Sequence, residues 1–537
     1  MNLKFRFSRR SIESSTGGAT PRSAQTHWGR LAAGLLLACM GTLMIVGCGG
    51  SSSSNLQQTA ASNGALYTFI TDAPSCDVLS FGIFITEMDL HKVGKPPTSM
   101  LTVWPTNISP TSPVVEMASL RDTKTVANLT SIPPGSYDQI TMKVVVNTAS
   151  YYDPSQSPPF KSFVPTVTSD SVTIPLQPAL TITSRQVSAL MLDLNLPQSL
   201  NVDSKGQLTG SVSWVFSGTP VLASGASGFG EMDSLYGFVR TVNPSSPGAG
   251  FTSSFLLQTL AATSGGSGPA LSVDLTDNTD LCMNGTCGTP VSDIDQMPTG
   301  SYVEVDANVD AKGNIVANRI QVEDREYLSQ KLLAYVGPVL DVTRDAGGNV
   351  IQFDMLARET EPTDPTDVPD SSALTVYVSP TTTFNPLLLA PDLNTLASTG
   401  SLSFDSSSLS PGQEVVVHGV FSKASAGPIL VTANSVYPRY QAVQGTFSSL
   451  VGSPGSDNKT GTFQMAPCSG LLSNNPFMVV TDVNTSFENT SGLSTLLPTT
   501  SMLARGLTFL DVKGSTLNGV QIPAGTMVLV AKQVRQF

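Results

Sequence analysis

Charge and histidine are scarce in this chain. Only 13% of its 537 residues are Asp, Glu, Lys or Arg, and three are histidine. Two of these, His91 and His418, lie beyond the first fifty residues, each in an apolar or alternating stretch that predicts a solvent-facing strand position. No Gly-x-Ser-x-Gly elbow, Gly-x-x-x-x-Gly-Lys loop or His-Glu-x-x-His pair occurs, which excludes the hydrolases, nucleotide-binding loops and metalloproteases built on them. No catalytic residue and no cofactor is therefore assigned from the sequence. Helical periodicity is also missing: past residue 60 almost no long segment spaces its apolar residues at three and four. Tryptophan is rare, and beyond the amino-terminal segment only Trp104 and Trp214 offer indole platforms for a sugar ring.

What is present is short Val/Ile/Thr/Phe runs broken by turn residues, with 45 Gly and 37 Pro in all. Gln139–Val146 is one such run, and the pattern predicts a mainly β body. The formal charge is −12, and the first 47 residues hold six basic residues against one acidic residue, Glu13, so the remainder is more acidic still. An acidic body repels phosphate backbones, which argues against nucleic acid as a partner.

The longest uncharged apolar run, 31–47, follows a basic segment ending at Arg30, the order of a signal peptide's first two regions. It ends in Ile45-Val46-Gly47-Cys48. These four residues resemble the lipobox of bacterial lipoproteins. The resemblance implies cleavage between Gly47 and Cys48, diacylglycerol on the Cys48 sulfur, and acylation of the new amino group. A plain transmembrane anchor, or a secretory signal cut elsewhere, is the competing reading. Gly49-Gly50 and four serines follow, a flexible tether suited to a body hanging from acyl chains. Gly49 in place of Asp after the cysteine implies, by resemblance to sorted lipoproteins, the outer membrane of a diderm bacterium, with the body in the periplasm or at the surface. Arg9-Arg10 resembles a twin-arginine export signal but stands about 20 residues from the apolar run.

Four cysteines remain beyond Cys48, in an oxidising compartment. Cys282 and Cys287 bracket an Asn284-Gly285 hairpin turn, and a local disulfide is expected there. Nothing near them completes a four-ligand zinc site, so no metal is assigned. Cys76 and Cys468 can pair only if distant domains meet; otherwise they are free thiols.

Leu66–Asp77 reads as a strand entering a turn at Asp72 and Pro74, and Ile132–Val144 as a turn entering an alternating strand. Thr71-Asp72-Ala73-Pro74, Pro134-Gly135-Ser136-Tyr137 and Asp193 in Ala189–Leu196, in this order, resemble a bacterial lipoprotein family whose N-terminal β domain has no known function. Period-two apolar faces predict an antiparallel β-sandwich. Asp72, Asp77, Glu87 and Asp89 are candidate calcium ligands, but turn-forming, solvated carboxylates explain them more simply. The same holds for the carboxylates of Glu361–Asp370, whose prolines fit an extended loop.

Beyond residue 222 the chain repeats itself three times. Each copy opens with a strand around a glycine (Gly237, Gly337, Gly445). Each then places an aliphatic residue six before a threonine and Leu or Phe two after it: Val273, Thr279, Leu281; Val376, Thr382, Phe384; Val479, Thr485, Phe487. An alternating strand is next expected at Val303–Val305, Val415–Val417 and Leu510–Val512. Ala317–Ile320, Ala433–Val436 and Ala531–Val534 close the copies. The threonine recurs every 103 residues. Small closed barrels of the oligonucleotide/oligosaccharide-binding type satisfy such a unit, because closure removes exposed edges. The pattern also resembles a second domain of unknown function of secreted bacterial proteins.

The expected organisation is thus a signal peptide (1–47), lipidated Cys48 and tether (48–64), a β-sandwich (65–222), a linker (223–234) and tandem small β-barrel-like units at 235–330, 331–440 and 441–537. The expected function is a lipid-anchored cell-envelope protein, binding or structural in role. Its partners would be membrane lipid, through acylated Cys48, and an envelope protein or glycan. The alternative is an envelope hydrolase acting on glycan or protein through a site without a recognisable motif.

Overall fold

Alternation along the strands builds two layers from the first body segment. The computed structural model describes residues 63–537 except 73–74, 104–113, 121–123, 203–207, 224–227, 260–269, 284–285, 290, 325–332, 362–370, 385–396, 400–401, 424–428 and 474. Gly64–Asp72, Thr125–Ile132, Val187–Leu194 and Phe216–Val221 form one layer. Val78–Lys92, Gly135–Tyr152 and Ser171–Ile182 form the other, joined to the first where Gly218 meets Leu176. Leu66, Ile70, Leu190 and Leu192 share one core with Ile83, Ile85, Ile140 and Met142. The expected sandwich is therefore present, with two departures from antiparallel order in its main sheet, the Gly218–Leu176 join being parallel as well as the pairing that follows. Gly64–Asp72 runs parallel to Val187–Leu194, so the strand carrying the Thr71-Asp72 turn lies beside the one carrying Asp193.

Each of the three following units closes a five-stranded ring. In the first, Gly230–Asn243, Ser253–Thr259, Ala270–Leu275, Ile315–Asp324 and Tyr302–Val309 pair in succession around the barrel, giving chain order 1-2-3-5-4. The third and fifth strands pair parallel, Val273 opposite Ile315, and the other joins are antiparallel. The second and third units repeat this, with Leu374 opposite Ile429 and Phe477 opposite Met527 as their parallel joins. The first ring takes its opening residues from the segment expected as linker, 223–234. A barrel this small bends its first strand tightly. At Gly237, Gly337 and Gly445 a Cβ would collide with the carbonyl of Gln258, Leu356 and Ala466 on the neighbouring strand.

The recurring threonine has a physical cause. After its third strand the chain adds a short strand (Asp280–Met283, Thr383–Phe384, Ser486–Glu488) that also runs parallel to the fifth. In between, the fifth strand shifts register against the fourth, with a bulge at Asn318, Asn434 or Lys532. The alanine before each bulge accepts the threonine hydroxyl: Thr279 to Ala317 O at 2.8 Å, Thr382 to Ala433 O at 2.7 Å, Thr485 to Ala531 O at 2.8 Å. Each hydroxyl also accepts the amide three residues earlier, at 3.0, 2.9 and 2.9 Å. Thr485 is fully buried. Thr485→Val keeps its shape but leaves a buried carbonyl and amide unsatisfied, and is expected to cost about 1–3 kcal/mol in urea unfolding. A loss within error would mean that the bond merely accompanies the fold.

In the third unit the fourth strand departs from the expected place. Gly445 pairs with Met502, as Gly237 does with Val303 and Gly337 with Val415, so the equivalent segment is Met502–Ala504 and not Leu510–Val512. A longer connection before the fifth strand, carrying the hairpin Thr516–Leu517 and Val520–Gln521, displaces the pattern.

The four units bury faces against one another. Tyr67 and Phe69, on the outer face of the sandwich, join the core of the first barrel. Phe238 and Tyr302 of the first barrel pack with Val336, Val416 and Tyr437 of the second. Met478, Leu507 and Val528 of the third extend the core of the second. Lys532 of the third reaches Asp306 of the first at 2.6 Å. His418 is fully buried in the boundary between the first two barrels, 5.6 Å from the Tyr302 ring and 5.1 Å from that of Tyr437, which corrects its expected solvent-facing position.

Candidate functional site

Where the sandwich meets all three barrels, the packing leaves a partly open cavity. The sandwich contributes Cys76, Leu79 and Lys124, the first barrel Leu235, the second Arg358 and Glu414, and the third Gln441 and Arg505, with Arg439 at the junction of the last two. About 80 Å³ is open to the centres of water-sized spheres. One water needs about 10–15 Å³ on that measure, so the space holds several waters or one small solute.

The walls are held by polar bonds between units. Arg358 donates from Nη1 to both Glu414 oxygens, at 2.8 and 3.0 Å, and from Nε to the Leu79 carbonyl of the sandwich. Gln441 Oε1 accepts the Glu414 amide at 2.6 Å, and its Nε2 donates to Gly412 O at 3.0 Å. Ser80 donates to Glu116 at 2.6 Å and lies 2.5 Å from Ser371 of the second barrel. Glu116 is wholly buried, and burial pushes its pKa above the usual carboxylate range. The charge of Arg358, the Phe81 and Ala118 amides and the Ser80 hydroxyl oppose that shift. At one edge Cys76 and Cys468 form a disulfide, Cα–Cα 5.3 Å, and the Gly470 amide donates to Asp77 at 3.0 Å. The distant domains therefore do meet, and these cysteines are paired.

Apart from Cys76 and Cys468, the residues singled out in the sequence fall elsewhere. Gly47, Cys48, Trp104 and the carboxylates of 362–370 lie outside the described residues. Cys282 is buried and disulfide-bonded, on a strand that pairs antiparallel with Thr286–Thr289; the Cys287 side chain lies outside those described. The four carboxylates weighed for calcium do not converge. Asp72 accepts the Leu196 amide, Asp77 that of Gly470, and Glu87 binds Lys143 at 2.6 Å. Among the described residues no group of three or more His, Cys, Asp or Glu can hold a metal. Trp214 donates its indole N–H to Ser169 O at 3.0 Å and packs beside Phe216.

His91 sits between Asp138 Oδ1 at 2.7 Å and Lys95 O at 3.0 Å, and the Asp138 bond raises its pKa above 6.5. A histidine raised on folding stabilises the fold fully below its unfolded value, and that contribution is lost as pH rises through the folded value. Asp138→Asn is expected to bring the His91 ring-proton titration in NMR back down toward 6.5; an unmoved midpoint would assign the shift to another group.

Sequence reasoning did not find Arg358, Glu414, Arg439 or Arg505, because they stand far apart along two units and no spacing links them. One signal was available. Leu503-Ala504-Arg505-Gly506-Leu507 puts a charge inside an apolar run, and the position before the bulge is also buried and ionisable or polar in the other copies, as Asp306 and His418.

Fold and cavity together define a class: a sandwich and three small barrels packed about a common polar junction. Within it, residues 63–209 match the family described as Domain of unknown function (DUF4382). That span covers most of the sandwich and none of the barrels. A comparison with curated proteins finds no match.

Proposed function

We propose that the protein is lipid-anchored in the bacterial cell envelope and that its folded body is a binding or structural module. The Cys76–Cys468 disulfide is the observation that carries the reading. It joins residues 392 apart in sequence, and such structural bridges belong to compartments outside the reducing cytosol. The Ile45-Val46-Gly47-Cys48 segment supplies the route: export, cleavage before Cys48 and acylation, with outer-membrane placement following from Gly49. Pairing of Cys282 with Cys287 across their hairpin fits the same compartment. Contacts among all four units suit a preorganised body that presents one site to an envelope protein, a glycan or a smaller ligand.

Inhibiting the lipoprotein signal peptidase in the producing cell is expected to accumulate a larger precursor. An unchanged size would overturn the anchor.

A further inference from the structure

We propose that the cavity between the four units binds a small oxyanion: phosphate, sulfate or a compact carboxylate. The inference rests on the reading of the body as a binding module and names its ligand class. In a chain of net charge −12 with 28 Lys and Arg in all, Lys124, Arg358, Arg439 and Arg505 line this one cavity; among its described lining residues Glu414 is the one carboxylate, and the charge of Arg358 is also felt by buried Glu116. Arg358, Arg439 and Arg505 are 5%, 6% and 2% exposed, so their guanidinium groups are held in place by packing rather than swept through solvent. Fixed, planar guanidinium donors match the oxygens of phosphate and carboxylate, and burial strengthens each charge-assisted bond.

The arginines already contact neighbours within the protein, and the inference does not need them idle. A guanidinium has five N–H donors, so it can serve protein partners and a bound acceptor together. Arg358 shows the arrangement: it serves Glu414 through Nη1 and the Leu79 carbonyl through Nε, one partner on each side of the junction. The space suits one tetrahedral oxyanion better than a sugar or a peptide, since only about 80 Å³ admits the centres of water-sized spheres. The residues come from the sandwich and from the second and third barrels, so an anion bound there ties units together. Binding should therefore stabilise the folded body as a whole.

The test is calorimetric titration of the full chain in detergent with sodium phosphate, sodium sulfate and sodium succinate, each against sodium chloride at matched ionic strength. The expected result is saturable one-to-one binding of at least one oxyanion, with a matching rise in thermal midpoint that chloride does not give. Which of the three binds tightest identifies the oxygen acid. Arg505→Gln is expected to weaken that binding about tenfold or more, the worth of one charge-assisted hydrogen bond. Should that variant fail to fold, Lys124→Met at the half-buried edge of the cavity provides the same comparison. No saturable binding of any of the three would overturn the proposal, as would equal binding by both variants and the unaltered chain. Membrane fractionation of the producing cells before detergent extraction reports the anchor separately, so loss of anion binding with retained membrane association rejects this inference and leaves the proposed anchoring intact.

Discussion

Glu414→Ala is expected to destabilise the folded body by about 3–5 kcal/mol, the cost of leaving one member of a buried ion pair alone. Arg358 and Glu414 expose 6% and 8% of their side chains, and both Glu414 oxygens accept from Arg358 Nη1. Removing the carboxylate strands a guanidinium whose other acceptor, among the described residues, is the Leu79 carbonyl. The damage should spread beyond the second barrel. Glu414 leads the fourth strand of that barrel, and its amide is held by Gln441 of the next unit. The double variant Arg358→Met, Glu414→Leu gives the sharper reading. Replacing both charges by apolar side chains of similar size is often neutral, or stabilising by about 1–4 kcal/mol, so it should unfold close to the unaltered protein. Urea unfolding of the three proteins decides between a buried pair and a solvated one: a single-variant loss below about 1 kcal/mol would place the pair in water.

Cys76→Ser with Cys468→Ser is the second large effect. A bridge across a long loop restricts the unfolded chain, and removing a native one costs about 2–5 kcal/mol; this one spans 392 residues. The loss should be felt at the junction first, because both cysteines line the cavity and Asp77, beside Cys76, holds the Gly470 amide. The double-serine variant is expected to unfold at lower urea than the oxidised protein and to respond to reductant only through the remaining bridge at Cys282, a smaller shift than that of the unaltered protein. The unaltered protein should move toward the variant when reduced. Equal midpoints with and without reductant in the unaltered protein would mean that the bridge is absent or contributes nothing.

Legibility in the sequence followed the range of the interaction. The threonine, the alanine before the bulge and the first-strand glycine stand out because each answers a local requirement that three copies share: a hydroxyl for a carbonyl at a bulge, and no Cβ where a strand bends. The fourth strand of the third unit was misplaced because Leu510-Asp511-Val512 alternates as a strand should, and only pairing shows that Met502 stands opposite Gly445. His418 teaches the same lesson. Period two says which face a residue occupies and not whether another domain covers that face, and here Tyr302 of the preceding barrel does. The cavity was invisible for the strongest form of this reason. Arg358, Arg439 and Arg505 come to line one cavity with Lys124 only where four units pack together, and no sequence spacing encodes that packing.

The central claim, a folded body held to a membrane through Cys48, is tested most directly by mass spectrometry of the mature amino terminus from detergent-extracted membranes. The account predicts a first residue of Cys48 carrying a diacylglyceryl thioether and an acylated amino group, with residues 1–47 gone. A mature protein that begins elsewhere, or that retains Cys48 with an unmodified thiol, would contradict it.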